Sequence, residues 1–201
     1  MLSAHGLTCV RGERRLFSGL DLAIEAGEWL HVRGENGAGK TSLLRMLAGL
    51  VAPAAGEVFW DGQPIRKVAA EYRRNLLFLG HQTALKDDLT ALENLQFAAA
   101  LDDGALVEQE AIASLRLFGL HGGEALPVRF LSAGQKRRVL LARLVSRPAR
   151  VWVLDEPFTA LDVKAVGVLA GLIGRHLAAG GMAVLTSHQE TPIADGKVLQ
   201  L

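Results

Sequence analysis

The sequence predicts an α/β fold in a single domain over residues 1–201. It combines a mixed β-core, an N-terminal antiparallel β subdomain and a helical subdomain inserted at about 85–145. Three observations predict it. A glycine-rich run, Gly34–Gly39, stands between a strand pattern and a helix pattern. An apolar strand pattern, Val151–Leu154, ends in the acidic pair Asp155-Glu156. Between them, Thr90–Leu117 is rich in Ala, Leu and Glu and poor in β-branched residues, which favours helix.

Taken in order, Leu2–Val10 and Leu16–Ile24 alternate apolar and polar residues as strands do, with the charged turn Arg11–Arg15 joining them. Glu28–Arg33 is a third strand feeding the glycine run. Thr41–Leu50 has apolar residues at helical spacing and ends at Gly49, a residue suited to a helix C-terminus. Pro53–Gly56 is a turn, Glu57–Trp60 a strand entering a hairpin or tight turn at Asp61-Gly62, and Leu76–Leu79 a short buried strand. Thr90–Leu117 divides into two helices at Asp102-Asp103-Gly104, and Gly119–Pro127 is a loop within the insertion. A basic helix, Gln135–Ser146, precedes the strand Val151–Leu154. Helix Val163–Ala178, strand Ala183–Thr186 and an edge strand at Lys197–Leu201 complete the chain. Trp29, Trp60 and Trp152 are expected in or at the edge of the core.

Composition limits the function classes. With 22 basic and 21 acidic residues the net charge is +1, which gives no global argument for binding nucleic acid or an acidic membrane. The basic group Lys136-Arg137-Arg138, Arg143 and Arg147 has no interleaved aromatics to stack on bases, so a solvated helix face is expected and nucleic acid is not. Cys9 is the sole cysteine, which fits a reducing compartment and a small apolar strand position. Met1–Arg15 carries no secretory-signal pattern. The apolar tract Val166–Leu185 is interrupted by Arg175, His176 and Gly180-Gly181, so it is expected to be helix, turn and strand rather than a membrane span. His5, His31, His121 and His176 lack metal-ligand spacing and receive no role.

Two motifs carry chemistry. Gly34-Glu35-Asn36-Gly37-Ala38-Gly39-Lys40-Thr41 fits GxxxxGK[ST], with the strand before and the helix after that the motif requires. Its glycines let successive amides face phosphate oxygens, the helix N-terminus adds a positive dipole end, Lys40 supplies a point charge and the Thr41 hydroxyl suits Mg²⁺. Asp155, at the end of a buried strand, is expected to hold Mg²⁺, and Glu156 to polarise an attacking water. ATP with Mg²⁺ is the expected pairing.

Between those motifs stands Leu131-Ser132-Ala133-Gly134-Gln135, an LSxGQ turn. With it, the chain resembles the nucleotide-binding subunits of ATP-binding cassette (ABC) transporters, whose fold is a P-loop NTPase of ABC ATPase type. The resemblance implies roles residue by residue. Gln82 matches the glutamine that senses Mg²⁺ and the attacking water. Ser132, Gly134 and Gln135 match the signature turn that meets the γ-phosphate held by an opposing subunit. Asp162 matches an aspartate placed across the dimer, and His188 the switch histidine on the γ-phosphate. An aromatic residue that stacks on adenine in such proteins is replaced at about its position by Arg11. The Arg11 guanidinium can stack in its place or sit as a solvated turn residue.

A narrower resemblance joins Leu16–Leu20, Gly80-His81-Gln82, Leu89–Leu95, the Leu131–Val139 stretch and Asp155–Ala160. It is to the ATP-binding subunits of cytochrome c maturation, historically called haem exporter ATPases. That implies a head-to-tail dimer with a second copy, permease subunits as partners and a place on the cytoplasmic face of the bacterial inner membrane. The permease dock is expected at Gln82–Leu95, with Leu85 and Leu89 exposed. An exporter subunit for another substrate is the alternative. A soluble cassette acting on ribosomes or DNA fits less well, since 201 residues hold neither a second cassette nor a long coiled coil. A nucleotide-gated module without turnover is opposed by Glu156 and His188.

Overall fold

The computed structural model describes residues 1–81, 84–102, 104–187 and 191–201. These divide into two compact units: Met1–Phe78 with Ala149–Pro157 and Ile173–Leu201, and Leu79–Pro148 with Phe158–Leu172.

The first unit holds two sheets. Strands β1 (Leu2–Arg11), β2 (Arg14–Ile24), β4 (Ala55–Trp60) and β5 (Gln63–Pro64) form one in the order β2-β1-β4-β5, with β1 antiparallel to both neighbours. The second has the order β6-β7-β8-β3-β9, from β3 (Trp29–Arg33), β6 (Leu76–Leu79), β7 (Val151–Leu154), β8 (Met182–Thr186) and β9 (Lys197–Gln200). Parallel pairing joins β7 to β8, β8 to β3 and β3 to β9. Strands buried on both faces are mainly apolar, and every residue of β7 and β8 is buried, the polar Thr186 at the end of β8 included. Helix α1 (Lys40–Leu47) packs Leu43, Leu44 and Leu47 into a core shared with Leu2, Leu7, Ile24, Val58 and Trp60. The β1–β4 contact needs glycine at 56, because a Cβ there would lie 2.4 Å from the Gly6 backbone.

Helix α2 (Ala69–Asn75) has no counterpart in the sequence pattern, whereas the two-residue β5 closes a hairpin with β4 across Asp61-Gly62, one of the two readings of that turn. The helix is seven residues long and buries only Tyr72, whose hydroxyl donates to the Leu47 carbonyl at 2.7 Å. One buried residue leaves no periodicity to detect. Cys9 and all three tryptophans are buried, as expected.

The second unit is helical: α3 (Ala91–Leu101), α4 (Glu108–Leu117), a 3₁₀ turn at Val128–Phe130, α5 (Ala133–Ser146) and the first part of α6 (Val163–Ala178). Leu95, Leu115, Val139 and Leu141 are among its buried apolar side chains. Thr90 and Glu93 form a capping box at the start of α3. The amide of buried Asn94 stitches the preceding turn, accepting from the Lys86 N–H and donating to the carbonyls of Lys86, Leu89 and Thr90. Leu85 and Leu89 are half-buried rather than exposed; the open apolar side chains of this unit include Phe97, Leu101 and Phe130. Among the described residues, no helix is long and apolar enough to cross a membrane.

The basic helix corrects an expectation. α5 is not a solvated cationic face. Arg137 is buried and donates to the Gly80 carbonyl. Arg138 reaches the Gly119 carbonyl and pairs with Asp162 at 2.5 Å. Lys136 pairs with Asp87, and Arg147 with Asp102 at 2.7 Å. Spacing along the helix shows where cations sit, not whether a carbonyl or carboxylate from another segment meets them.

Candidate phosphate and hydrolysis site

The glycine run connects β3 to α1, and its backbone adopts conformations closed to most residues. Gly37 has φ +84 and Gly39 φ +110. A Cβ on Gly39 would also meet the Phe17 ring at 3.1 Å, so the loop can curl only with hydrogen at that position. Lys40 Nζ folds back to donate to the carbonyls of Gly34 at 2.7 Å and Glu35 at 3.1 Å. An ammonium has three donors. Two anchor it to its own loop, and the third is available to a phosphate oxygen. Glu35, Asn36 and Gly37 are solvent-exposed at the crest, with Ala38 half-buried beneath.

Asp155 stands one residue past β7 and is buried to 2% exposure. Its Oδ2 accepts from the Thr41 hydroxyl at 2.8 Å, and its Oδ1 from the Thr186 hydroxyl at 2.8 Å. A hydroxyl and a carboxylate in contact beside a phosphate loop are the hard oxygen donors that Mg²⁺ takes together with substrate phosphates. Among the described residues no cluster of three His, Cys, Asp or Glu could hold a metal unaided. The donor set therefore fits Mg²⁺ brought with a nucleotide.

Glu156 follows, half-buried and with φ +51. A non-glycine residue at positive φ stores about 1–3 kcal/mol of strain, which the surroundings must hold in place. Its own N–H donates to Thr186 Oγ1 at 2.8 Å. Thr186 belongs to none of the sequence motifs. The signal available was a lone hydroxyl at the end of an otherwise apolar strand.

His31 was also passed over, and it is buried on β3. Arg33 Nε donates to its Nδ1 at 3.0 Å, which leaves the ring proton on Nε2, directed at the Ser187 carbonyl 3.4 Å away. Two residues earlier on the same face, Trp29 Nε1 donates to the Ala194 carbonyl at 2.9 Å. This face of β3 thereby grips both described ends of the crossover that follows β8. Gln82 and His188 lie outside the described residues.

In the helical unit, Ser132 and Gln135 form a second capping box: Ser132 Oγ accepts from the Gln135 N–H at 3.2 Å, and Gln135 Oε1 from the Ser132 N–H at 2.9 Å. The serine and glutamine of the LSxGQ turn thus start α5, whatever else they do. Gly134 faces the Ala160 carbonyl, which a Cβ would approach to 3.4 Å. Asp162 accepts from the Ala165 N–H at 2.8 Å. That bond, with the Arg138 charge beside it, holds its carboxyl below the usual range. Arg11 is exposed at the end of β1, opposite Arg14.

Comparison with known proteins agrees with this geometry. The family model described as ABC transporter matches residues 17–159. A cytochrome c biogenesis ATP-binding export protein, CcmA, of Dechloromonas aromatica is 56% identical over 201 residues, covering 100% of this chain and 98% of that protein. The Escherichia coli K12 protein of that name is 49% identical, covering 100% and 95%. Among solved structures, an ABC transporter ATP-binding protein from Pyrococcus furiosus has a TM-score of 0.85 at 25% identity, over 100% of this chain and 96% of that one. An ATP-binding cassette solved as a dimer in a post-hydrolysis state with ADP and Pi has a TM-score of 0.83 at 26% identity, over 94% and 88%.

Proposed function

Since the chain belongs to the ABC transporter family, and within it stands with the cytochrome c biogenesis ATP-binding proteins, we propose that it is the ATPase subunit of a membrane complex serving cytochrome c biogenesis. The observation that carries the ATPase is the Asp155 carboxylate, bonded to Thr41 at the head of α1 and placed at the end of β7.

The phosphates of ATP lie on the Gly34–Gly39 amides and the Lys40 ammonium, both preorganised by the loop. Thr41, Asp155 and Gln82 would hold Mg²⁺, which, when bound, neutralises charge on the phosphate oxygens. Glu156 takes a proton from the attacking water, and Gln82 and His188 complete the site around the γ-phosphate. Ser132, Gly134 and Gln135, with Asp162, serve the site of a second copy in a head-to-tail dimer. The dimer docks on permease subunits at the cytoplasmic face of a bacterial inner membrane. The choice of cargo belongs to the membrane partner.

Two measurements test this. In purified protein or complex, Lys40→Ala weakens ATP binding by at least about tenfold, as loss of a phosphate-bound charge should. In a bacterium lacking its own relative, the wild-type chain restores haem-stained c-type cytochromes and Glu156→Gln does not. ATPase activity without restoration would leave the ATPase and remove the pathway.

A further inference from the structure

We propose that Thr186 is a positioning residue for ATP hydrolysis, its hydroxyl holding Glu156 and Asp155 in fixed relation. The inference rests on the reading of Glu156 as the base.

The register of the central sheet puts Thr186 in place. Parallel β7 and β8 pair Leu154 with Leu185, so the next step along both strands sets Asp155 beside Thr186. Thr186 is fully buried, also paired to Val32 on β3. Its hydroxyl donates a hydrogen bond to Asp155 Oδ1 and accepts one from the Glu156 N–H, both at 2.8 Å. The chemistry of the two neighbours dictates a hydroxyl. An ionised carboxylate only accepts and an amide N–H only donates, so a single atom joining them must do both. An aliphatic side chain does neither.

The held residue is the one under strain. Glu156 takes φ +51 although it precedes Pro157, where the chain is biased toward extended conformations. The Thr186 oxygen gives the amide of this strained residue a partner. A shift of the Glu156 backbone moves its carboxylate relative to the water it must activate, whereas the phosphate loop is anchored separately through Lys40. Loss of the hydroxyl should therefore reduce turnover and spare nucleotide binding.

The test uses Thr186→Val, which removes the hydroxyl at nearly constant shape, with Thr186→Ser as rescue and Glu156→Gln as reference. Thr186→Val is expected to lower kcat by about tenfold, the scale of a small misplacement of a reacting group. Its ATP Kd, read by a fluorescent nucleotide, stays within about threefold of wild type, and Thr186→Ser keeps more than about half of kcat. Adding Thr186→Val to Glu156→Gln lowers kcat no further, because both act through one group. Near-normal kcat in Thr186→Val overturns the inference. So does equal loss in the valine and serine variants, or a Kd that worsens in step with kcat. Normal turnover in Glu156→Gln removes the base assignment itself, and the role of Thr186 with it. A fall in Glu156→Gln beside an unimpaired Thr186→Val removes only the latter.

Discussion

Single side chains set how this chain responds to pH. His176 on α6 stacks flat on Trp152, with centroids 3.9 Å apart and planes within 4°, and its Nε2 faces the Met182 carbonyl at 3.1 Å. Gly181 closes the other side of the slot, since a Cβ there would enter the ring. Burial pushes the imidazole below its ordinary range, and the carbonyls of Met182 and Arg150 offset this only in part. His31 is pushed the same way, first by burial and further by Arg33, against the opposing pull of the Ser187 carbonyl. A base whose folded pKa is depressed stays neutral in the folded state while the unfolded chain takes up a proton. The stability is full above the unfolded value, about 6.5, and is lost as pH falls below it toward the folded pKa. The melting temperature should thus drop between about pH 7 and pH 5.5, before the carboxylates held low (Glu28, Asp61, Glu93, Glu124) titrate. His176→Phe keeps the stack without the titration and should flatten that slope in thermal scans. An unchanged slope would assign the dependence to His31.

At the level of elements, the LSxGQ turn starts a helix, and on the proposed function it also meets a partner's ATP. Ser132 is the N-cap of α5 and Gln135 its reciprocal partner. Ser132→Ala should cost about 1 kcal/mol of stability through the lost cap alone. Ser132→Asp restores a good cap, so urea denaturation should place it within about half a kcal/mol of wild type. On the proposed function it sets a carboxylate against a partner's γ-phosphate, so its ATPase should be lost. Retained activity in the aspartate variant would confine the serine to capping. The same duality explains what the sequence disclosed. β7 and α6 were legible to the residue, because an all-apolar run ending in acid and a long uninterrupted helical period are local signals. The glycine-rich loop was legible because its glycines, Lys40 and Thr41 lie in one contiguous stretch, Gly34–Thr41. α2 was silent because only Tyr72 is buried on it. Thr186 and the fixed state of Arg137 were hidden for another reason. Each depends on a partner far along the chain, Asp155 for one and Gly80 for the other, and on pairing that composition cannot report.

For the whole molecule the question is whether one chain is a complete enzyme. Lys40 and Asp155 belong to one compact unit and Ser132 to the other, and Ser132 is exposed. An exposed serine whose oxygen already caps its own helix still has a lone pair to offer a donor, and its hydroxyl proton to offer a phosphate. In the proposed head-to-tail dimer that phosphate belongs to the second copy, so ATP would be the shared surface and hydrolysis would dissolve it. Glu156→Gln blocks proton removal while keeping size and polarity, so ATP–Mg²⁺ should convert it to a dimer on light scattering, with ADP leaving it monomeric. Adding Ser132→Asp should abolish that dimer while nucleotide binding by each chain persists, because the Lys40 loop is untouched. A double variant that still dimerises would show that some other surface joins the copies. A Glu156→Gln chain that stays monomeric at saturating ATP would place assembly with the membrane partner, whose binding must then supply the apposition that ATP alone does not.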